Sequence, residues 1–137
     1  MTRIKLPVQE LERLKVGLVY IFGSQTLGIQ TPLSDIDIGI VFFDRKILDD
    51  FRMRRKTYTE LYDVFADIFP TTLEKELDLV FLQQTPLDFQ YDGIVKGKIL
   101  YQRDPKFRVD YEEQILDEYL DFKPVVDYFD FRKTRVI

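Results

Sequence analysis

The spacing of apolar residues along the chain alternates between the helical and the strand period, and each change marks an element. Apolar residues at every third or fourth position among charged ones predict amphipathic helices, which fall at residues 7–16, 49–69, 86–95 and 105–122. Short continuous apolar runs bounded by turn residues predict strands, which fall at residues 17–22, 35–43, 76–82 and 98–101. Because the second strand is rich in Ile and Val, we expect it to be buried on both faces beyond Asp37.

Prolines set limits of the two long helices, because proline cannot donate a backbone hydrogen bond. Pro70 ends the helix at 49–69. Pro105 begins the C-terminal helix, which we expect to run to about Phe122 because Pro124 interrupts it. Helices that alternate with strands in this way indicate an α/β domain.

The composition restricts the possible chemistry. With 137 residues, 45% hydrophobic and 32% charged, the chain fits one compact domain, and disordered and fibrous classes are excluded. Its net charge of -4 lacks the strongly basic footprint of nucleic-acid binders, so direct nucleic-acid binding is not expected. The chain contains neither Cys nor His, which excludes disulfides, zinc–thiolate sites, thiol nucleophiles and histidine acid–base chemistry. The groups that remain available for catalysis or binding are carboxylates, amines, hydroxyls, backbone amides and metal ions.

Nothing in the hydrophobic pattern indicates a membrane span or an export signal. The N-terminus has no apolar stretch of signal-peptide length. The longest apolar runs, at 16–23 and 38–43, have the length of strands and are too short to span a bilayer. We therefore expect a cytoplasmic protein without a membrane partner.

Gly23-Ser24 directly follows the first predicted strand and is a candidate phosphate site. A glycine there lets the backbone approach a phosphate closely, and a helix start after it would present free amides to an anion. The Ser24 hydroxyl can donate a further hydrogen bond to a phosphate oxygen. By itself such a pair is an ordinary turn, so the prediction depends on the residues that follow it.

Three aspartates supply candidate metal ligands. Asp35 and Asp37 are separated by one residue at a strand start, so the two-residue period of a strand points both carboxylates to one face. Asp78 lies within the apolar strand at 76–82, where an acid is costly unless it is paired or bound to a metal. Oxygen ligands without His or Cys favour Mg²⁺ or Mn²⁺. Two such ions would stabilise the attacking and leaving oxygens of a phosphoryl or nucleotidyl transfer.

Each of these features alone has a simple structural interpretation. An Asp-x-Asp pair is often a cap or a loop, and Asp78 alone fits a strand residue that faces solvent. The combination is much rarer, since Gly-Ser followed ten residues later by Asp-x-Asp arises by chance on the order of once in 10⁵ starting positions at ordinary residue usage.

The combined pattern is identified with a known superfamily. Gly23-Ser24, Asp35-x-Asp37 and the later strand residue Asp78 resemble the signature of the DNA-polymerase-beta-like nucleotidyltransferases, over about residues 7–83. The resemblance implies the nucleotidyltransferase fold, an α/β fold with a small mixed β-sheet flanked by helices and a C-terminal helix. The small size of the chain is similar to that of the minimal nucleotidyltransferases.

The C-terminal part of the chain resembles one subgroup of these minimal proteins. Residues 100–105 and 119–124 are similar to the tail of the antitoxin subgroup. Its members pair with HEPN ribonuclease toxins, and some transfer AMP from ATP to a tyrosine of the toxin. The resemblance implies a single minimal nucleotidyltransferase domain over 1–137, with a catalytic core at about 7–83 and a C-terminal strand and helix at about 98–131.

The resemblance also implies a role for each residue of the signature. Asp35 and Asp37 would bind both of two Mg²⁺ ions, and Asp78 would bind the catalytic ion and help to orient or deprotonate the acceptor hydroxyl. Gly23 and Ser24 would hold the triphosphate of the substrate ATP. The acceptor would be a hydroxyl, of tyrosine by analogy, on a partner HEPN toxin that this chain silences as its antitoxin.

Two alternatives to this function stay open at the level of sequence. Many minimal members carry arginines where this chain has Gln25 and Leu27, and if those arginines bind the triphosphate, affinity or rate would be lower here. A weak site would make the protein an antitoxin that masks its partner without catalysis. The other alternative is transfer to a small molecule, as in the aminoglycoside nucleotidyltransferases.

Overall fold

The structure, a computed structural model, describes residues 5–22, 36–69 and 77–135, with side chains up to Asp121. The helices are α1 (Val8–Arg13), α2 (Lys46–Asp49), α3 (Phe51–Ile68), α4 (Leu87–Lys96) and α5 (Pro105–Arg135). The strands are β1 (Val16–Phe22), β2 (Ile36–Phe42), β3 (Leu77–Phe81) and β4 (Lys98–Gln102), and a single 3₁₀ turn covers Leu82–Gln84.

The four strands form one mixed sheet in the order β3-β2-β1-β4. β1 is antiparallel to both of its neighbours, β2 and β4, whereas β2 and β3 are parallel. The parallel pair is possible because α3 carries the chain back along the sheet between the two strands, as parallel strands require. The predicted small mixed sheet flanked by helices is therefore confirmed, and β4 is one of its two edge strands.

Helices cover both faces of the sheet. Successive side chains of each strand point to opposite faces, because a strand has a period of two residues. We call one face the α3 face, because α3 and α1 pack on it with Leu61, Phe65 and Leu11. We call the other the α5 face, because Tyr111 and Ile115 of α5 pack there, together with α4. As expected for a strand covered on both sides, β2 is buried along its length except at Asp37, which is half-buried.

The long helix predicted at 49–69 is α3, and it begins two residues later than predicted. α2 ends at Asp49 and α3 begins at Phe51, with Asp50 between them as the N-cap. The Asp50 carboxylate accepts hydrogen bonds from the backbone amides of Arg52 (2.9 Å) and Met53 (3.3 Å). An acid at this position satisfies amides that have no partner in the helix. Asp49 and Asp50 therefore mark the boundary between α2 and α3.

The prediction that Pro124 interrupts the C-terminal helix is wrong, because α5 continues through it to Arg135. A proline there removes only one hydrogen bond, the one that the carbonyl of Leu120 would accept. Leu120 is 59% exposed, so water can hydrate that carbonyl and the helix tolerates the loss. Although α5 is long, none of the helices in the described ranges combines the length and hydropathy that a membrane crossing requires.

Candidate active site

Asp37 and Asp78 are register partners in the parallel pair of β2 and β3. The residues on either side of Asp37, Ile36 and Ile38, belong to the core on the α3 face, as do the neighbours of Asp78 in β3. Both carboxylates therefore point to the α5 face, on strands about 4.8 Å apart. Asp37 is half-buried and Asp78, on the terminal strand, is exposed.

The structure thus places two of the five predicted site residues side by side. The other three, Gly23, Ser24 and Asp35, lie outside the described residues, so their positions remain predictions from the sequence. Among the residues that the structure describes, no group of three or more acidic side chains is close enough to hold a metal ion. The predicted ligand set contains Asp35 as its third member.

The chemistry of this carboxylate pair fits a divalent cation. Two adjacent carboxylates repel each other, and a positive charge between them offsets the repulsion. Mg²⁺ takes oxygen ligands and is usually held through one or two carboxylates together with substrate phosphates and water. Asp78 also has an electrostatic effect on α3, where burial first, and then the neighbouring Tyr62 and Asp78, raise the pKa of the Tyr58 phenol.

An aromatic pair borders the carboxylates on the side of β1. Phe22 is the register partner of Asp37 in the antiparallel pair of β1 and β2, so Phe22, Asp37 and Asp78 form one row across three strands. The ring of Phe22 contacts the ring of Phe89 of α4 edge to face, with centroids 6.1 Å apart and an angle of 75°. We call these two rings the aromatic wall.

Gly39 makes room for this wall. A Cβ atom at Gly39 would lie 2.9 Å from Cε1 of Phe22 and 3.0 Å from Cδ1 of Leu82. The Phe22 ring therefore leans over the backbone of β2 at Gly39, two positions along the strand from Asp37. A larger residue at this point would displace the ring.

The residues next to Phe89 fix α4 in place. Gln90 is buried, and its amide donates a hydrogen bond to the carbonyl of Thr85 (3.0 Å) and accepts one from the hydroxyl of Tyr111 (2.9 Å). Burial raises the pKa of the Tyr111 phenol, which keeps it a proton donor. On the other side, the ring of Tyr91 stacks on that of Tyr119, with centroids 3.7 Å apart. Phe89 is therefore held near the site while 39% of it stays exposed.

The sequence did not identify the aromatic wall as part of the site. For Phe22 the sequence offers one signal of a place in the site, namely that it is the last apolar residue before Gly23-Ser24. Phe89 has none, since its position depends on how α4 packs against α5 and the sheet.

Comparison with known families gives a match over most of the chain. The profile of the family described as "Polymerase beta, Nucleotidyltransferase" matches residues 8–106. This span includes all four strands of the described residues and all five residues that the sequence predicts for the site. No curated protein matches the chain.

Several solved structures have a similar fold. A chain of a toxin–antitoxin structure with AMP-PNP has a TM-score of 0.60 at 22% identity, covering 89% of this chain and 94% of that one. A chain of an MntA–HpeT toxin–antitoxin mutant has a TM-score of 0.58 at 19% identity, covering 89% and 93%. A third belongs to a tri-AMPylated Shewanella oneidensis HEPN toxin in complex with an MNT antitoxin, with a TM-score of 0.53 at 19% identity, covering 88% and 93%.

Proposed function

Because the chain belongs to the polymerase beta nucleotidyltransferase family, we propose that it transfers AMP from ATP to a hydroxyl group of a partner HEPN toxin and thereby acts as its antitoxin. The acceptor hydroxyl, by analogy that of a tyrosine, would form a bond to the α-phosphorus of ATP. The bond from that phosphorus to the bridging oxygen would break, pyrophosphate would leave, and the hydroxyl would lose its proton. Folds similar to this chain occur in structures with AMP-PNP and with an AMPylated HEPN toxin, which supports this reaction and this partner.

The observation that carries the proposal is the register pairing of Asp37 with Asp78. It puts two carboxylates on one face, at the strand positions where the family signature has its acids. With Asp35 they would hold two Mg²⁺ ions, which when bound neutralise the charge of the phosphates. Gly23 and Ser24 would hold the triphosphate through backbone amides and a hydroxyl.

Asp78 is the better placed of the two described acids to meet an acceptor. It is exposed on a terminal strand, whereas Asp37 is half-buried on an inner strand. A hydroxyl that approaches from solvent can therefore reach the Asp78 carboxylate, which would orient it and accept its proton. Since the described strands build a single sheet, we propose that the partner macromolecule supplies the rest of the acceptor site.

The experiment that tests this function uses the intact mass of the toxin. A HEPN toxin copurified with the chain from its native cells is incubated with ATP and Mg²⁺, and we expect it to gain the mass of one or more AMP groups. Asp37→Asn and Asp78→Asn should abolish the gain. Asp63→Asn, which removes an exposed acid of α3, should leave it unchanged.

Two results would contradict the proposal. Toxin that keeps its mass with the wild-type chain, and does so equally with Asp78→Asn, would show that no AMP is transferred. If Asp78→Asn also still suppresses the toxin in cells, steric masking is the function instead.

A further inference from the structure

The outer edge of β3 is open along the described part of the chain. β3 is an edge strand, and none of the described strands pairs with its outer side. A strand edge presents a row of backbone N–H and C=O groups that can pair with a further strand. Asp78 is the single charged residue of β3, and the rest of the strand is apolar. Little charge therefore protects this edge from pairing.

A groove of about 390 Å³ runs beside this edge, between β3 and α3. Residues 79–81 line it on the side of β3, and Arg54, Arg55 and Tyr58 line it on the side of α3. The ring of Tyr58 contacts the ring of Phe81 edge to face, with centroids 5.7 Å apart, and so joins the two sides. The groove thus combines an apolar base with two guanidinium groups, and none of the residues that line it is acidic.

The groove lies at a strongly basic part of α3. Arg52, Arg54, Arg55 and Lys56 place four positive charges in the first six residues of this helix. None of the four forms an ion pair with another described residue. Arg54 is nevertheless held in place, because its guanidinium donates a hydrogen bond to the carbonyl of Leu48 (3.1 Å). A positive patch without neutralising partners attracts an acidic ligand.

We propose that the open edge of β3 receives an extended acidic segment of a partner protein, which adds to the sheet as a further strand. Backbone hydrogen bonds along β3 would hold the segment, as in other cases of strand addition. Its acidic side chains would pair with Arg54 and Arg55 across the groove. The proposal does not depend on the transfer of AMP.

The two faces of the sheet set a pattern on this segment. Side chains of an added strand alternate between the faces and stand beside those of the neighbouring strand. On the α3 face they would meet the two arginines of the groove, whereas on the α5 face they would meet Asp78 and Val80. Asp78 repels an acid, so the segment should carry acids at every second position, on the α3 face.

Fluorescence anisotropy with labelled octapeptides tests the proposal on the full chain. The probe consists of four Glu-Thr repeats, because threonine favours the extended conformation. We expect this peptide to bind and a peptide of four Lys-Thr repeats not to bind. A peptide of four Glu-Pro repeats keeps the charges but lacks half of the backbone donors, and it should bind at least about tenfold more weakly.

Charge-reversal variants locate the binding site. Arg55→Glu should raise the Kd of the Glu-Thr peptide by about three- to tenfold, whereas Arg55→Lys should keep it within about twofold. Lys106→Glu is the matched control, since Lys106 is an exposed cation of α5 outside the groove, and it should also keep the Kd within about twofold. Equal weakening by Arg55→Glu and Lys106→Glu would mean that only the overall charge matters, which would overturn the proposal.

Hydrogen exchange distinguishes strand addition from contact with side chains alone. We expect amides of β3 to exchange more slowly when the Glu-Thr peptide is bound, and those of β4, the other edge strand, to stay unchanged. Binding that leaves β3 unprotected would overturn the proposal, as would the absence of binding up to about 1 mM peptide. A short labelled oligouridylate that binds as tightly as the peptide would do so too, because the patch would then be a nucleic-acid site.

Discussion

Asp37 and Asp78 are register partners on neighbouring parallel strands, and their carboxylates share the α5 face of the sheet. Like charges directly opposite each other destabilise a pair of strands. A bound cation would offset this repulsion, because it would lie between the two carboxylates. The pair should therefore behave as a binding site that lowers the stability of the free protein.

Because of this pairing, Asp78→Asn should lower the activity without lowering the stability. In metal-free buffer the free energy of unfolding should stay equal or rise by about 0.2–1 kcal/mol, because the repulsion with Asp37 is removed. Transfer of AMP should fall about 100-fold or more. Urea unfolding in EDTA, with Asp63→Asn as the control, measures the first quantity. Destabilisation of Asp78→Asn by more than about 1 kcal/mol would show that this carboxylate supports the fold instead.

Two glycine substitutions should have opposite effects on stability. At Gly39 a new Cβ would meet Phe22 at 2.9 Å and the fully buried Leu82 at 3.0 Å, so Gly39→Ala should lower the free energy of unfolding by about 1–3 kcal/mol. At Gly93 in α4 the nearest atom, of Leu82, would be 3.6 Å away. Since alanine is the better helix former, Gly93→Ala should be neutral or stabilising by up to about 1 kcal/mol.

Urea unfolding of the two alanine variants measures both effects in parallel. Equal destabilisation by the two substitutions would contradict the packing described around Phe22.

The strands were predictable from the sequence because each is a short apolar run with turn residues on both sides. The runs at 17–22, 35–43 and 76–82 match β1, β2 and β3 to within one residue at each described end. The sequence also placed Asp37 and Asp78 on strands. It could not give their register, because register depends on how the α3 crossover aligns two segments that are far apart in the chain.

Other features depended on tertiary packing and were wrong or missed. The predicted end of the C-terminal helix was wrong. A long helix tolerates the loss of the one backbone hydrogen bond that Pro124 removes. Phe89 was missed because its place beside Phe22 is set by the packing of α4 against α5, which includes the hydrogen bond between Gln90 and Tyr111. Such contacts join separate elements, and no periodic pattern encodes them.

The buried hydroxyl of Tyr20 should stabilise the fold in a pH-dependent way. It donates a hydrogen bond to the Glu112 carboxylate (2.6 Å), which also accepts one from Arg108 (3.2 Å). Tyr20→Phe leaves that carboxylate with one partner fewer, and the free energy of unfolding should fall by about 1–3 kcal/mol at neutral pH.

The difference between wild type and Tyr20→Phe should shrink in alkali. Burial first, and then the hydrogen bond and charge of Glu112, raise the pKa of the Tyr20 phenol above its ordinary value of 10.0. The folded state therefore favours the protonated phenol, and this contribution is full below pH 10 and is lost as the pH rises above it. Urea unfolding at neutral pH and above pH 10 measures the difference. A difference that stays constant or widens would contradict the assignment.

Pro124→Ala tests the continuity of α5. Alanine restores the backbone donor to the carbonyl of Leu120 and is about 3 kcal/mol more favourable than proline inside a helix. The amides on both sides of position 124 should therefore exchange with deuterium more slowly in the variant. Exchange rates that do not change would mean that the helix ends before the proline.

Binding of Mn²⁺ to the nucleotide-free chain, followed by electron paramagnetic resonance, shows directly whether Asp37 and Asp78 hold a metal ion, because the free ion gives a signal that bound ions lose. We expect the wild-type chain and Asp63→Asn to bind Mn²⁺ with the same affinity. Asp37→Asn and Asp78→Asn should each bind it at least about tenfold more weakly. Equal affinity in all four proteins would contradict the claim that these two carboxylates form the metal site.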